Sequence, residues 1–278
     1  MNLPAIEISD LKVRYGSRLA LEIDELTVST GEFVALMGRN GAGKTTFIKT
    51  CLGLQKKSEG IVKILGIDLD RLSQAEIIKL RRRIGYVPQL LPPNSQLPIT
   101  AREVVAIGRA ARLGLFKRLN SQDYSIINKW IDELGLSHIS ESPFNQLSGG
   151  EQRKVMIARA MAQEPELLLL DEPTANLDLG WREHIINTLN QLHKLTGITI
   201  LLISHEIEVI SNQCRKIVLL ENGKIVAKGT SAEIFTPERV KALYGLKGSV
   251  ISHKGRNIVL PEYGDEESEF KDESASSQ

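Results

Sequence analysis

Cysteine is scarce in this chain, and its placement excludes most cysteine chemistry. Cys51 and Cys214 stand far apart with no metal-ligand spacing between them. They read as two buried, reduced thiols of a cytosolic protein, with a disulfide as the alternative. The five histidines, His138, His184, His193, His205 and His253, form no ligand cluster, so no dedicated transition-metal site is expected. An excess of one charge is also missing. The 35 Lys and Arg against 34 Asp and Glu leave a net charge of +1, which offers nucleic acid no general field, only room for a local patch. Long hydrophobic runs are absent too. The longest, around Leu167–Leu170 and Ile198–Ile203, have strand length and fall short of the roughly 20 residues that span a bilayer. The first residues, Met1 to Glu7, have neither a basic nor an apolar leader region. No secretory signal and no membrane crossing are therefore expected.

What is present suits a large globular core. The 278 residues are 42% hydrophobic, enough for one large domain or one domain with an insertion. Ile6-Glu7-Ile8, Lys12-Val13-Arg14-Tyr15, Leu21-Glu22-Ile23 and Leu26-Thr27-Val28 alternate in the manner of half-exposed strands. Phe33–Met37, Leu167–Leu170 and Ile198–Ile203 are continuously apolar, which suits a parallel sheet covered on both faces. Ser73-Gln74-Ala75-Glu76 and Thr100-Ala101-Arg102-Glu103 are capping boxes ahead of helical patterns. Ile126, Ile127, Trp130, Ile131 and Leu134 share one helical face, and Gly135 stands where a helix stop belongs.

Residues from about 90 to 147 thus read as a helical region interrupting a strand-rich frame, reached through the Pro-rich loop Pro88–Asn94. Arg81-Arg82-Arg83 reads as a solvated helix end, with a partner contact as the other reading. Val218–Val226 reads as a hairpin turning at Asn222-Gly223. The acidic, serine-rich segment from Gly264 to Gln278 has almost nothing to bury and reads as a disordered tail. No internal repeat is visible.

Three segments carry chemistry. Gly38-Arg39-Asn40-Gly41-Ala42-Gly43-Lys44-Thr45 follows the apolar run Phe33–Met37 and opens into Thr46-Phe47-Ile48, so it reads as strand, tight loop, helix. Glycines let backbone N–H groups wrap an anion at a helix N-terminus. Lys44 supplies charge for the β- and γ-phosphates, and the Thr45 hydroxyl can ligate Mg²⁺. The plain alternative is an ordinary glycine-rich turn. The strand Leu167–Leu170 delivers Asp171 and Glu172 at its carboxyl end, where ligands of parallel α/β sheets bind. Asp171 is placed for the Mg²⁺ shell, and Glu172 could position and deprotonate a water. Two solvated carboxylates are the competing reading. Leu147-Ser148-Gly149-Gly150-Glu151 opens a helix and reads equally as a second anion site or as a capping box.

Leu147–Glu151 resembles the signature of the ATP-binding cassette (ABC) ATPases, and the other motifs fall in that family's order between about Ile6 and Gly229. The resemblance implies an α/β fold: a phosphate-loop NTPase core with a mostly parallel sheet, an N-terminal antiparallel β subdomain and an inserted α-helical subdomain over about 90–160. It implies an ATPase domain over 1–245, an extension over 246–263 and the tail over 264–278. Tyr15 matches the aromatic that stacks on adenine. Gln89 matches the glutamine that contacts Mg²⁺ and couples to a transmembrane partner. Ala175-Asn176-Leu177-Asp178 matches the loop after the Walker-B strand, and His205 matches the γ-phosphate-sensing histidine.

Gly38 through Thr46, with Ser148, Gly149, Gly150, Glu151 and Asp178, are then the ATP-binding set. Lys44, Gln89, Glu172 and His205 are the catalytic set, and Thr45, Gln89 and Asp171 hold the metal. The chain departs from the family in Glu151, where glutamine is commonest, and in Ala175-Asn176, where Ser-Ala is frequent. Tyr15 as a rim aromatic, Gln89 as a loop polar residue and His205 as a strand-end histidine are the bland readings.

The family pattern implies two cassettes holding two ATP molecules head to tail, on the cytoplasmic face of the cell membrane. It implies a separate integral-membrane permease docking near Gln89 and the helical insert, served indirectly by a substrate-binding protein, and no nucleic-acid partner. Thr100–Gly114, and Phe235–Arg239 leading to Leu243-Tyr244-Gly245, resemble cassettes of importers for iron–siderophore complexes, haem and cobalamin. Zinc and manganese importers have related cassettes. A soluble cassette ATPase acting on nucleic acid or ribosomes is the alternative, disfavoured by the lack of coiled coils, tandem cassettes or basic arms. A phosphate-loop kinase or GTPase would have no use for Leu147–Glu151.

Overall fold

The computed structural model describes residues 3–89, 99–114, 117–244, 248–253 and 256–261. The Pro-rich segment past Gln89 and the acidic tail lie outside the described residues. The chain opens with two long antiparallel strands, β1 (Ile6–Tyr15) and β2 (Arg18–Val28). In β1 the buried positions are Ile6 and Ile8 and then Leu11 and Val13, a slip of one in the alternation. The slip is a bulge at Asp10, whose φ is 49°, and pairing to the neighbouring strand breaks between Ser9 and Lys12. Gly60 faces the bulge, and a Cβ there would lie 2.2 Å from the Asp10 carbonyl oxygen.

Strand β3 (Phe33–Met37) leads through the glycine-rich loop into α1 (Lys44–Cys51). Next come β4 (Glu59–Ile64), β5 (Ile67–Asp68), α2 (Gln74–Arg81) and β6 (Ile84–Val87). Three helices follow: α3 (Ala101–Leu113), α4 (Ser121–Glu133) and α5 (Gly149–Ala162). Then come β7 (Leu167–Asp171), α6 (Leu179–Thr196), β8 (Thr199–Ser204), β9 (Lys216–Glu221) and β10 (Lys224–Gly229). The described chain ends with α7 (Ser231–Ile234), α8 (Pro237–Tyr244) and a hairpin of β11 (Gly248–His253) and β12 (Arg256–Pro261).

The main sheet runs β10-β9-β3-β8-β7-β6, parallel except at β10; a smaller antiparallel sheet runs β2-β1-β4-β5. Each apolar run divides by parity between two cores. Phe33, Ala35, Met37, Leu168, Leu170, Ile200 and Leu202 face the helical side. Val34, Leu36, Leu167, Leu169, Leu201 and Ile203 face α1 and the antiparallel sheet. Burial on both faces is the reason these strands show no polar alternation.

In the helical insert, α3 and α5 meet backbone to backbone: a Cβ on Gly108 would lie 1.9 Å from the Arg159 carbonyl oxygen. Arg109, 8% exposed, reaches from α3 to Asp123 of α4 at 2.7 Å and to Glu164 at 2.6 Å. Of the three arginines expected as a solvated helix end, Arg81 and Arg83 are side-chain ties instead. Arg81 donates to the carbonyls of Leu52 and Gly53 at 2.7 and 3.0 Å, fastening α2 to the end of α1. Arg82 accepts at its carbonyl from Arg112 of α3. Arg83 clamps both oxygens of Glu166 at 2.5 and 2.7 Å, across the starts of β6 and β7. Guanidinium forks fit carbonyl rows and carboxylates, which wins them from solvent.

The residues after α8 form the β11–β12 hairpin, an arrangement the sequence pattern does not announce. Val250 and Val259, paired across it, pack on the helical-side core, and Asn257 donates to the Ser231 hydroxyl at 2.6 Å.

Candidate functional site: a phosphate-loop pocket

The site is built where β3 stops. Gly41 and Gly43 take φ of 83° and 108°, open to glycine at little cost. A Cβ on Gly43 would strike Leu21 at 2.7 Å, so the loop hugs β2 at that point. The far side of the loop is held by the hairpin turn Asn222-Gly223. The Gly223 N–H donates to the Ala42 carbonyl at 2.9 Å, and the Gly223 carbonyl accepts from Glu22 of β2 at 2.8 Å. Helix α1 opens with no side-chain cap, so its first N–H groups face the loop interior.

Six polar side chains converge beneath the loop. Lys44, 6% exposed, donates to the Gly38 and Arg39 carbonyls at 2.7 and 3.1 Å and stands 3.2 Å from Glu172 Oε1. Glu172 follows β7 with a φ of 47°, a left-handed step out of the strand. Its other neighbours are the Gln89 amide nitrogen, donating at 2.8 Å, and His205 Nδ1 at 3.1 Å. Asp171, 3% exposed, accepts from the Thr45 hydroxyl. Burial pushes its carboxyl up, Glu172 adds to this, and Lys44 pulls the other way. Thr45, Asp171 and Gln89 are hard oxygen donors of the kind that suit Mg²⁺.

The cavity over these groups has a volume of about 560 Å³. Tyr15 stands half exposed at its rim, and Asn40, Gly41, Gly43, Lys44, Thr45, Thr46, Gln89 and Glu172 line it. Arg39 and Ala42 border an adjoining cavity on the other face of the loop, and Gly38 contributes its carbonyl to Lys44. Arg18, Leu19, Ala20, Asn222 and Gly223 complete the lining, and none was singled out for the site by its sequence pattern. Asn222-Gly223 was readable as a turn, but nothing local says that the turn abuts the phosphate loop.

Ser148, Gly149, Gly150, Glu151 and Asp178 are not among the described lining residues. Ser148 and Glu151 form the full capping box of α5: the carboxylate accepts from the Ser148 N–H at 2.8 Å and hydroxyl at 2.7 Å. The Ser148 hydroxyl, then its N–H, hold the Glu151 carboxyl below its usual range. Asp178 caps α6 by accepting from the Trp181 N–H at 2.8 Å. Arg153, a turn into α5, is a further residue without sequence signal. It is buried and donates to the Pro88 and Gln89 carbonyls at 2.6 and 3.0 Å, tying the start of the Gln89 loop to the helix that Ser148 opens.

A parallel sheet, a glycine loop cradling a buried lysine, and a paired Thr and Asp beside it define a nucleoside triphosphatase of the phosphate-loop class. Within that class the ABC transporter family profile matches residues 21–175, more than half of the chain. The chain is 32% identical to the iron(3+)-hydroxamate import ATP-binding protein FhuC of Bacillus subtilis (strain 168), covering 91% of this chain and 92% of that one. It is 32% identical to the ferric enterobactin transport ATP-binding protein FepC of Escherichia coli (strain K12), covering 90% and 92%. It is 30% identical to the manganese transport ATP-binding protein MntB of Halalkalibacterium halodurans, covering 92% and 98%.

Among solved structures, a transporter described as of metal-chelate type, in an inward-facing conformation, superposes with a TM-score of 0.78 at 27% identity, covering 95% and 98%. The dimeric bacterial ABC transporter cassette MJ0796 superposes at 0.70 and 30% identity, covering 81% and 98%. This chain belongs to the ABC transporter family, as an ATP-hydrolysing cassette.

Proposed function

We propose that this chain powers an importer: two copies bind ATP head to tail and drive a separate membrane permease that takes up a metal chelate. The observation that carries the chemistry is the convergence of Lys44, Gln89 and His205 on one carboxylate, Glu172, at the mouth of the phosphate loop. In this reading Tyr15 carries the base of ATP, and the loop N–H groups and Lys44 hold its phosphates. Phosphate oxygens compete with Glu172 for the Lys44 ammonium, which leaves the carboxylate to orient a water and accept its proton. The water oxygen bonds to the γ-phosphorus, the bond to the bridging β–γ oxygen breaks, and ADP and phosphate leave. Thr45, Asp171 and Gln89 would hold Mg²⁺, which when bound neutralises charge on the phosphates. His205 lies beside Glu172 on the side where the γ-phosphate would end.

Ser148, Gly149, Gly150, Glu151 and Asp178 lie outside this pocket and in this reading serve the partner copy's nucleotide. The terminal charge then favours the closed pair, and its removal opens it, which is differential affinity for two states. The permease docks on the groove between α2 and α3, where Ile78 and Ile107 are half exposed beside Arg82 and Lys117. That places the chain peripherally on the cytoplasmic face of the membrane.

Resemblance to FhuC and FepC supports an iron–chelate solute, while MntB keeps a bare divalent metal as the second reading. Co-purification with the permease and reconstitution in proteoliposomes tests both. ATP hydrolysis is expected to rise when a binding protein loaded with a ferric chelate is added. Stimulation by a manganese- or zinc-loaded binding protein instead moves the solute assignment. A chain that neither hydrolyses ATP nor joins a permease ends the proposal.

A further inference from the structure

The first turn of α6 carries Trp181, which the reaction described above does not use. It is partly buried and packs on the helical-side core, with its ring 5.6 Å from that of His184. Against it lies Gly150, buried in the first turn of α5. A Cβ on Gly150 would fall 1.9, 2.3 and 2.4 Å from three atoms of the indole ring, so the ring occupies the space that any other residue at 150 would need. The φ of Gly150 is not positive, so space rather than backbone freedom demands glycine there. Gly149 has an ordinary contact distance to Leu177, the residue before Asp178.

The next residue extends the arrangement. Arg182 donates to the Leu177 carbonyl at 2.9 Å and pairs at 3.0 Å with Glu206, which follows His205. A single helical turn, Asp178 to Arg182, therefore touches the Ser148–Glu151 turn, caps itself with Asp178 and reaches the His205 loop.

We propose that Trp181 is the positioning residue for the Ser148–Glu151 turn: its indole is the rigid surface that sets the direction of the Gly149 and Gly150 N–H groups and locks them to the Asp178 loop. This rests on the head-to-tail reading above, in which those groups meet the partner copy's nucleotide. A large flat ring suits the task because it has only two rotatable angles and loses little entropy on being fixed. Donors aimed at developing charge lose about a hundredfold in rate when displaced by an ångström.

The test compares Trp181→Ala and Trp181→Phe with wild type. Affinity for MgADP, which reads each copy's own pocket, is expected to stay within about twofold, because Trp181 does not line that pocket. Turnover is expected to fall by about tenfold or more in Trp181→Ala, and the ATP-driven dimer in a Glu172→Gln background to weaken with it. Trp181→Phe is expected to recover most of both. Because the chain has two tryptophans, Trp130→Phe leaves Trp181 as the reporter, and its emission is expected to shift on ATP-driven closure. Wild-type turnover and dimer yield in Trp181→Ala overturn the assignment, as does an equal loss of ADP affinity, which would mark general damage. If wild type itself neither closes nor hydrolyses, the head-to-tail reading fails rather than the role of Trp181 within it.

Discussion

Asp171 and Glu172 are adjacent in sequence and both buried, yet they meet different partners. The first ends a strand, is nearly sealed and answers to Thr45; the second steps out of the strand through a positive φ and meets Lys44, Gln89 and His205. In the proposed mechanism this division gives each carboxylate a separate role, metal shell and base, which two equivalent side chains could not share. Glu172→Gln keeps the shape, can still bond Gln89 and loses the proton acceptor. Steady hydrolysis is expected to drop by about a hundredfold or more, while ATP is retained and a stable dimer accumulates on size exclusion. Wild-type turnover in that variant would falsify the assignment of the base.

At the scale of elements, the positions that hold helices and strands together are not the obviously hydrophobic ones. Gly108 looks like a weak point in α3, since alanine is ordinarily better in a helix by about 0.5–1 kcal/mol. Here the Arg159 carbonyl occupies the space a methyl would need, so Gly108→Ala is expected to cost about 1–3 kcal/mol by overpacking. A thermal melt that rises with this variant would show that α3 and α5 do not approach so closely.

Arg83 and Glu166 give a second test. The Arg83 guanidinium holds the Glu166 carboxyl below its usual range. A depressed folded-state value contributes stability above the ordinary carboxylate range and loses it as pH falls through the lower folded value. Glu166→Gln is therefore expected to be less stable at neutral pH, by no more than about 1 kcal/mol for so exposed a pair. Its melting temperature should then fall less steeply into acid than that of wild type.

For the whole molecule, the two cores on either side of one sheet decide which groups ever meet solvent. Cys51 and Cys214 lie in different cores. Both are free, and burial raises both thiols, Cys214 to about 12. A thiolate is the reactive form, so neither is expected to react with a disulfide reagent in the folded protein, and both are expected to react after unfolding in guanidinium. Rapid labelling of the native chain would mean that one core opens readily. Among the described residues no helix is long and apolar enough to cross a membrane. The surface proposed for coupling to transport is the α2–α3 groove.

Features whose geometry is local were legible in the sequence alone. The glycine loop declares itself because turn, anion cradle and helix start are made by consecutive residues. Asp171-Glu172, the capping boxes at Ser73, Thr100 and Ser148, and the Asn222-Gly223 hairpin are legible for the same reason, each needing only its neighbours within a turn. Tertiary structure alone decided what distant segments do to one another. It brought Gly223 and β2 against the phosphate loop, turned Arg81 and Arg83 from a solvated end into ties, and set Trp181 on Gly150. It also joined Arg153 to the Gln89 loop. Those outcomes depend on which strands lie side by side and how closely helices cross, and a residue's own neighbours in the chain carry no record of either.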